Sequence, residues 1–121
     1  MQPTSLKSKI ITSKLDETRD FYQSLLGLEI AEEWNEPGDV GCILAFPDGK
    51  REAFLEIYLG NQAPDYSGFS LQFRTADLAG FRDSLPDDVP VRGPTVRPWG
   101  STYLYLTDPN GVAIVIFEGG L

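Results

Sequence analysis

Few residue types in this chain could carry out chemistry. The sequence contains no histidine and a single cysteine, Cys42. Histidine is the side chain that changes charge near neutral pH, so its absence excludes a histidine-based catalytic or metal site. Cys42 lies in the apolar stretch 40–44, which predicts a buried thiol without a neighbouring base. Among the 18 acidic residues, Glu56 interrupts an apolar run, and an enzyme could use its carboxylate as general base toward an acidic C–H group.

The composition limits the partners that the chain can have. Its 121 residues are 41% hydrophobic, which suits one packed domain, and its 18 acidic and 10 basic residues give a net charge of -8. An acidic surface repels phosphate backbones and anionic lipid, so nucleic acid and membranes are not expected as partners. The acidic charge would favour a cationic ligand, but it is explained equally by solubility, because charge alone does not indicate a site. No apolar run reaches the ~20 residues of a membrane span, and residues 1–9 lack the apolar core of a signal peptide. We therefore expect a cytoplasmic protein.

Hydrophobic periodicity and turn residues predict two similar halves. The first half has a strand at 6–12, a helix at 15–26 that ends at Gly27, and strands at 28–34, 40–46 and 53–59. The second half has a strand at 68–74, a helix at 76–85, and strands at 89–91, 101–107 and 112–118. The tetrapeptide Asp108-Pro109-Asn110-Gly111 predicts a hairpin, because proline presets one dihedral angle and Asn-Gly tolerates a positive φ.

Three groups of residues resemble the motifs of a known superfamily. They are the helix sequence DETRDFYQSLLGL at 16–28, the segment Phe54-Leu55-Glu56-Ile57, and Pro98-Trp99-Gly100 followed by the Asp-Pro-Asn-Gly turn. The chain is similar to the vicinal oxygen chelate superfamily, which includes glyoxalase I, bleomycin-resistance proteins and extradiol dioxygenases. The resemblance implies an α+β fold in which two consecutive βαβββ modules form a cupped mixed sheet. It implies a single domain over 1–121, with module one at 5–60, a linker at 61–66 and module two at 67–119.

Enzymes of this superfamily hold a divalent metal with four strand side chains, two from each module and usually His, Gln or Glu. The resemblance puts these positions at Lys7, Glu56, Ser70 and Val115. Lysine is a cation, valine has no donor atom, and a serine hydroxyl is a poor ligand for a catalytic divalent metal. We therefore expect neither a metal nor a cofactor.

Alternation along each strand predicts which side chains share a face with those four positions. The opposite face is uniformly apolar, as packing under a helix requires; it holds Leu55, Ile57, Leu71, Phe73, Ile114 and Ile116. The mixed face, together with both tryptophans, is the predicted ligand site. Its residues are Lys7, Lys9, Trp34, Phe54, Glu56, Tyr58, Ser70, Gln72, Arg74, Trp99, Tyr103, Tyr105, Val115 and Phe117.

Several of these side chains have a second interpretation. Glu56 could form a salt bridge to Lys7 or Arg74 in place of a ligand contact. Tyr103 and Tyr105 could pack as plain wall residues of the sheet. Both tryptophans could stack on a planar ligand or be buried at a subunit interface.

Three functions remain open from the sequence. The first is a metal-independent protein of the bleomycin-resistance type that sequesters a small cationic or aromatic molecule, with a homodimer implied by the resemblance. The second is a glyoxalase-like lyase or isomerase that uses Glu56 as general base. The third is a regulatory or partner-binding module without small-molecule chemistry.

Overall fold

The computed structural model describes residues 1–121, which form two compact units, Met1–Asp65 and Tyr66–Leu121. The first unit contains β1 (Leu6–Thr12), α1 (Leu15–Asp20), a π-helical turn (Phe21–Leu25), β2 (Glu29–Glu36), β3 (Asp39–Ala45) and β4 (Ala53–Leu59). The second unit contains β5 (Ser70–Arg74), α2 (Leu78–Ser84), β6 (Arg92–Val96), β7 (Thr102–Thr107) and β8 (Ala113–Glu118). No helix has the length and apolar character needed to cross a membrane.

The two units share one strand topology. Their sheets have the orders β1-β4-β3-β2 and β5-β8-β7-β6. In each sheet the first strand pairs in parallel with the last, and the remaining pairs are antiparallel. Each helix follows the first strand of its unit and lies against the last, α1 against β4 and α2 against β8. The predicted α+β fold of two βαβββ units is confirmed, with the hydrogen bonds forming two four-stranded sheets.

The core of each unit lies on the sheet face that carries the uniformly apolar side chains. In the first unit Ile10, Leu44 and Ile57 are almost fully buried, together with Tyr22 from the π-helical turn. In the second unit the buried side chains include Leu104, Leu106, Val112, Ile114 and Ile116. This segregation follows from the period of two along a strand, since every second residue faces the helix.

The first helix is shorter and less regular than its periodicity predicts. The α-helix ends at Asp20, and the following five residues, Phe21–Leu25, form a π-helical turn. Gly27 adopts a positive φ of 73° and its N–H donates to the Gln23 carbonyl, as a glycine at a helix end does. The predicted stop at Gly27 is confirmed, and the chain is helical from Leu15 to Leu25 as predicted, with its last five residues π-helical where an α-helix was expected.

The second helix is held at its first turn by two carboxylates. The Asp77 carboxylate accepts from the Gly80 N–H at 2.9 Å, and Glu118 on β8 accepts from the Leu78 N–H at 2.9 Å. Both oxygens satisfy N–H groups that have no partner inside the helix.

The predicted hairpin between β7 and β8 is confirmed. Asp108 is buried, and its Oδ1 accepts from the Asn110 N–H at 2.8 Å and the Val112 N–H at 2.9 Å. Gly111 has a φ of 83°, which residues with a side chain rarely adopt.

The prediction of a strand at 89–91 is wrong. The Val89 N–H donates to the Pro86 carbonyl in a turn, and the strand β6 begins at Arg92. This strand contains Pro94, which a sheet tolerates here because β6 is an edge strand. A bulge between Arg92 and Thr95 puts these two residues, three apart in sequence, on one face opposite Tyr105 and Tyr103.

Candidate ligand-binding faces

In the first unit the strand register assembles a polar face. Lys7 lies beside Phe54, Lys9 beside Glu56, and Ile11 beside Tyr58 on the parallel pair of β1 and β4. We call the side chains on this side of the sheet the first-unit face. Its predicted members Lys7, Lys9, Phe54, Glu56 and Tyr58 share the face that is not covered by α1.

Glu56 is the centre of the first-unit face. Its Oε1 lies 3.1 Å from Lys7 Nζ and its Oε2 lies 3.6 Å from Lys9 Nζ. The Glu56 side chain is 11% exposed, whereas those of Lys7 and Lys9 are 50% and 46% exposed. Each half-exposed pair contributes at most about 1 kcal/mol, but a buried carboxylate without a counter-ion would cost several kcal/mol. The two lysines therefore neutralise Glu56.

A tryptophan is fixed at the other end of this face. The Trp34 ring covers Gly41 so closely that a Cβ on Gly41 would lie 2.7 Å from Trp34 Cζ2. Trp34 Nε1 donates to Asp39 Oδ1 at 2.9 Å. A hydrogen bond from the Tyr58 hydroxyl to Asp39 raises the pKa of Tyr58, with smaller contributions from burial and nearby carboxylates. Lys9 Nζ lies 4.4 Å from the Tyr58 ring centroid, which links this group to Glu56.

A cavity of about 320 Å³ opens beside the first-unit face. Its lining includes Lys7, Glu32, Arg51 and Phe54. The Arg51 guanidinium lies 5.5 Å from the Phe54 ring centroid. The cavity therefore combines two cationic side chains, one carboxylate and one flat ring.

In the second unit the same topology assembles an aromatic face. The register puts Ser70, Gln72 and Arg74 of β5 beside Ala113, Val115 and Phe117 of β8, with Tyr103 and Tyr105 of β7 next to them. The Tyr103 ring centroid lies 6.0 Å from that of Tyr105, 5.7 Å from Phe117 and 5.8 Å from Trp99. These four rings form a contiguous cluster with the separations typical of aromatic pairs.

Three arginines cover this ring cluster. The guanidinium carbon of Arg92 lies 4.0 Å from the Tyr105 centroid, that of Arg97 lies 4.9 Å from Trp99, and that of Arg74 lies 5.5 Å from Phe117. None of the three forms an ion pair with a carboxylate. We call Arg74, Arg92, Arg97, Trp99, Tyr103, Tyr105 and Phe117 the arginine–aromatic face.

A short hydrogen-bond chain lies at the edge of the arginine–aromatic face. The Tyr103 hydroxyl donates to Gln72 Oε1 at 3.4 Å, and Gln72 Nε2 donates to Ser70 Oγ at 3.2 Å. Val115, paired with both Gln72 and Tyr105, is buried beneath this chain. These contacts orient the Tyr103 ring, whereas Val115 contributes only packing.

The four positions that the superfamily would use for a metal do not fit a divalent ion. In the first unit, the Glu56 carboxylate is bound by two ammonium groups. In the second unit, Ser70 offers one neutral hydroxyl and Val115 offers no donor. No group of three or more His, Cys, Asp and Glu side chains is arranged to hold a metal. A divalent metal needs several anionic or imidazole ligands, and the available set supplies one paired carboxylate.

The thiol of Cys42 is not part of either face. Cys42 is buried, as predicted, and it lies on the same side of the sheet as Ile57. Burial raises the pKa of this thiol above its ordinary value, which keeps it protonated and unreactive.

Sequence reasoning missed Asp39, Arg92 and Arg97. Asp39 falls in a run of turn residues, so the sequence does not assign it to a strand. It lies two residues before Gly41, so strand alternation puts both on one face, and Gly41 pairs with Trp34. The two arginines lie on either side of the bulge in β6, where the period of two is broken. Lys7 and Arg74 were the two salt-bridge partners predicted for Glu56. The structure shows the salt bridge to Lys7 and a second one to Lys9.

The fold and these faces define a class of protein: two βαβββ units, each with an apolar sheet face and a polar, aromatic one. The family model for the Glyoxalase/Bleomycin resistance protein/Dioxygenase superfamily matches residues 6–116. The chain belongs to this superfamily, as its motifs predict.

Solved structures of the superfamily share the fold. TnmS3, an antibiotic-binding protein from Streptomyces sp. CB03234, aligns with a TM-score of 0.78 at 20% identity, covering 98% of each chain. A bleomycin-binding protein complexed with bleomycin aligns with a TM-score of 0.67 at 24% identity, covering 96% of this chain and 98% of that one. Lactoylglutathione lyase from Agrobacterium tumefaciens aligns with a TM-score of 0.71 at 19% identity, covering 98% and 96%.

At these identities the likeness is one of fold, and the fold supports both binding proteins and an enzyme. Among curated protein sequences none matches this chain.

Proposed function

We propose that this chain is a metal-independent small-molecule binding protein, similar in role to the bleomycin-resistance proteins. The observation that carries the proposal is the pairing of both Glu56 oxygens with Lys7 and Lys9. This arrangement uses the carboxylate as a structural counter-ion at the position where the superfamily's enzymes have a metal ligand. A binding protein needs no metal at that position, whereas a metal-dependent isomerase or dioxygenase does.

Binding is supported by the surfaces that remain. Each unit exposes flat rings beside a few oriented polar groups, the combination that small-molecule sites use. Trp99 is 50% exposed, and Trp34 is held in place by Asp39 and Gly41. The antibiotic-binding and bleomycin-binding neighbours support this class of ligand.

The geometry favours binding over general-base catalysis by Glu56. A general base needs an oxygen that can reach the proton of the substrate. Both Glu56 oxygens already face an ammonium group, and a substrate would have to displace one of them. No contact in the structure favours the purely regulatory function.

We also propose that residues 5–60 and 67–119 act as one domain and that the chain works as a cytoplasmic homodimer. This follows the superfamily to which the chain belongs. Dimerisation would cover strands that end their sheets, such as β2 and β6, whose outer backbone groups have no partner within the sheet and otherwise invite pairing. Native mass spectrometry of the purified protein would measure the subunit number, and a monomer would contradict this proposal.

Calorimetric titration with a panel of planar probes tests the binding function. The panel is naphthalene-2-sulfonate, its trimethylammonium counterpart, neutral 2-naphthol and bleomycin, measured before and after exhaustive dialysis against a chelator. Saturable binding of at least one probe, unchanged by the chelator, supports the proposal. The absence of saturable binding by every probe overturns ligand binding. Binding that is lost on chelation and restored by Zn²⁺ or Mn²⁺ overturns metal independence.

A further inference from the structure

We propose that the arginine–aromatic face of the second unit binds a planar aromatic molecule that carries an anionic group, such as a carboxylate, sulfonate or phosphate. The inference rests on the proposed binding function and names its ligand class. It runs opposite to the net charge of -8, which by itself favours a cation.

The first argument is the distribution of charge within the second unit. This unit has four basic residues, Arg74, Arg82, Arg92 and Arg97, and three of them lie on the arginine–aromatic face. The strand positions of that face carry no acidic side chain.

The carboxylates of the second unit that have defined partners serve its backbone instead. Asp77 and Glu118 accept from the first turn of α2, and Asp108 accepts from the turn before β8. They are therefore committed to local structure and are not placed to neutralise the three arginines. The face keeps a concentrated positive charge in an otherwise acidic chain.

The second argument is how the guanidinium groups are held. Each lies over an aromatic ring, and no carboxylate binds it. A guanidinium stacked on a ring keeps its N–H donors in its own plane, pointing away from the ring, where they can bind an anion bidentately. Stacking also restricts the side chain in advance, which lowers the entropy lost on binding.

One donor on this face is already removed from water. Arg97 Nε is buried and has no hydrogen-bond acceptor in the protein. Because part of the Arg97 guanidinium is removed from water, an anionic oxygen bound at its terminal N–H groups would be attracted more strongly than at a fully solvated arginine.

The third argument is the ring cluster itself. Trp99 is 50% exposed at its margin, and Tyr103 contacts the three other rings. An exposed indole offers a flat apolar surface on which a second planar ring can stack. A ligand with a ring and an anionic substituent would satisfy both parts of the face at once.

A cationic ligand would meet three like charges here, and a long polyanion such as nucleic acid would be repelled by the net charge of -8. The small aromatic anion is the ligand class that fits both the local and the overall charge.

The test compares naphthalene-2-sulfonate with 2-naphthyltrimethylammonium, which have the same ring and opposite charge. We expect the sulfonate to bind at least tenfold more tightly, with an affinity that falls as ionic strength rises. Equal affinity, or a preference for the cation, overturns the inference while leaving the binding function intact. If neither of these probes, nor the neutral one, nor bleomycin binds, the proposed function itself fails together with the inference.

Charge-neutral variants locate the site. Arg92→Gln and Arg97→Gln should each weaken the binding of naphthalene-2-sulfonate about tenfold, the loss expected for one charge-assisted contact. Arg82→Gln is the matched control, because it removes the same charge from α2 of the same unit, away from the face. If all three variants weaken binding equally, the loss reflects only the change in net charge, and the proposed site is overturned.

A conservative variant separates a binding role from a folding role. Arg92→Lys keeps the charge but loses the planar, stacked donor, so its affinity for the sulfonate should lie between those of the wild type and Arg92→Gln. Circular dichroism and thermal melting of every variant establish that it is folded. A folded Arg92→Gln protein with unchanged affinity would contradict the assignment of Arg92.

Discussion

The first-unit face and the arginine–aromatic face have the same strand topology but use their cations differently. In the first unit Lys7 and Lys9 pair with the buried carboxylate of Glu56. In the second unit Arg92 and Arg97 lie over aromatic rings and have no carboxylate partner. On the first face a carboxylate offsets part of the positive charge, whereas the second face has no carboxylate to offset its arginines. The duplicated fold thus provides two surfaces with different electrostatics, and the local partner of each cation decides its role.

The largest expected effect comes from removing the counter-ions of Glu56. The double variant Lys7→Met, Lys9→Met should lower the free energy of unfolding by about 3 kcal/mol, because it leaves a buried carboxylate uncompensated. Urea unfolding would measure the loss. Lys50→Met, which removes a charge from a loop, is the control and should change stability by less than about 0.5 kcal/mol. A double variant as stable as the wild type would mean that the lysines do not compensate Glu56.

The comparison predicts the opposite for the second unit. Arg92→Gln removes a cation that has no carboxylate partner, so the free energy of unfolding should fall by at most about 1 kcal/mol, the contribution of one exposed cation–π contact. The same urea experiment measures it beside the lysine variant. A loss as large as that of the lysine double variant would show that Arg92 is structural and would remove the distinction between the two faces.

The effect expected at the contact that fixes Trp34 lies between those of the lysine double variant and Arg92→Gln. Gly41→Ala would put a Cβ 2.7 Å from Trp34 Cζ2 and 2.8 Å from the Ile57 carbonyl oxygen, so the ring has to move. We expect a loss of about 1–3 kcal/mol and a changed Trp34 emission spectrum, read in a Trp99→Phe background. Gly120→Ala, which has open space around its Cβ position, is the matched control. An unchanged spectrum would show that Trp34 is not held by Gly41.

A still smaller effect concerns alkaline pH. The hydrogen bond to Asp39 raises the pKa of Tyr58 above its ordinary value of 10.0, so the folded state prefers the neutral phenol. This preference stabilises the protein below the unfolded-state pKa and is lost as the pH rises through the raised value. Asp39→Asn should therefore lower the pKa of Tyr58, measured as the tyrosinate absorbance that Tyr58→Phe removes. An unchanged titration would contradict the Asp39 contact.

The smallest expected effect is that of Glu56→Gln on binding. Because Glu56 belongs to the first-unit face, its substitution should leave the affinity for naphthalene-2-sulfonate unchanged in calorimetry. A glyoxalase-type turnover that is present in the wild type and lost in Glu56→Gln at constant affinity would instead support the general-base function.

Much of the fold could be predicted from local patterns. The bounds of β1 and β4 match the predicted strands at 6–12 and 53–59, and Gly27 ends the helical segment as predicted. The position of β6 could not be predicted, because Gly93 and Pro94 are typical of turns and the bulge interrupts the alternation of side chains along the strand. The π-helical turn could not be predicted either, because the spacing of its apolar residues is close to that of an α-helix.

The candidate faces were only partly predictable. Alternation placed Glu56 and Tyr103 on the correct side of their sheets, because the period of two depends only on the backbone. The contact of Asp39 with Trp34 and the stacking of Arg97 on Trp99 depend on rotamers and on the path of the chain around a turn and a bulge. No local pattern encodes these contacts.

The sequence by itself determined the superfamily, the duplicated topology, the absence of histidine chemistry and the poor metal-ligand set, since each follows from residue identity and strand periodicity. Only the tertiary structure decided the partner of each charge. Glu56 is neutralised by two lysines of the neighbouring strand, while Arg92 stacks on Tyr105 with no counter-ion. Composition sums charge over the whole chain, but a ligand responds to charges within a few ångströms, and those distances exist only once the strands have paired.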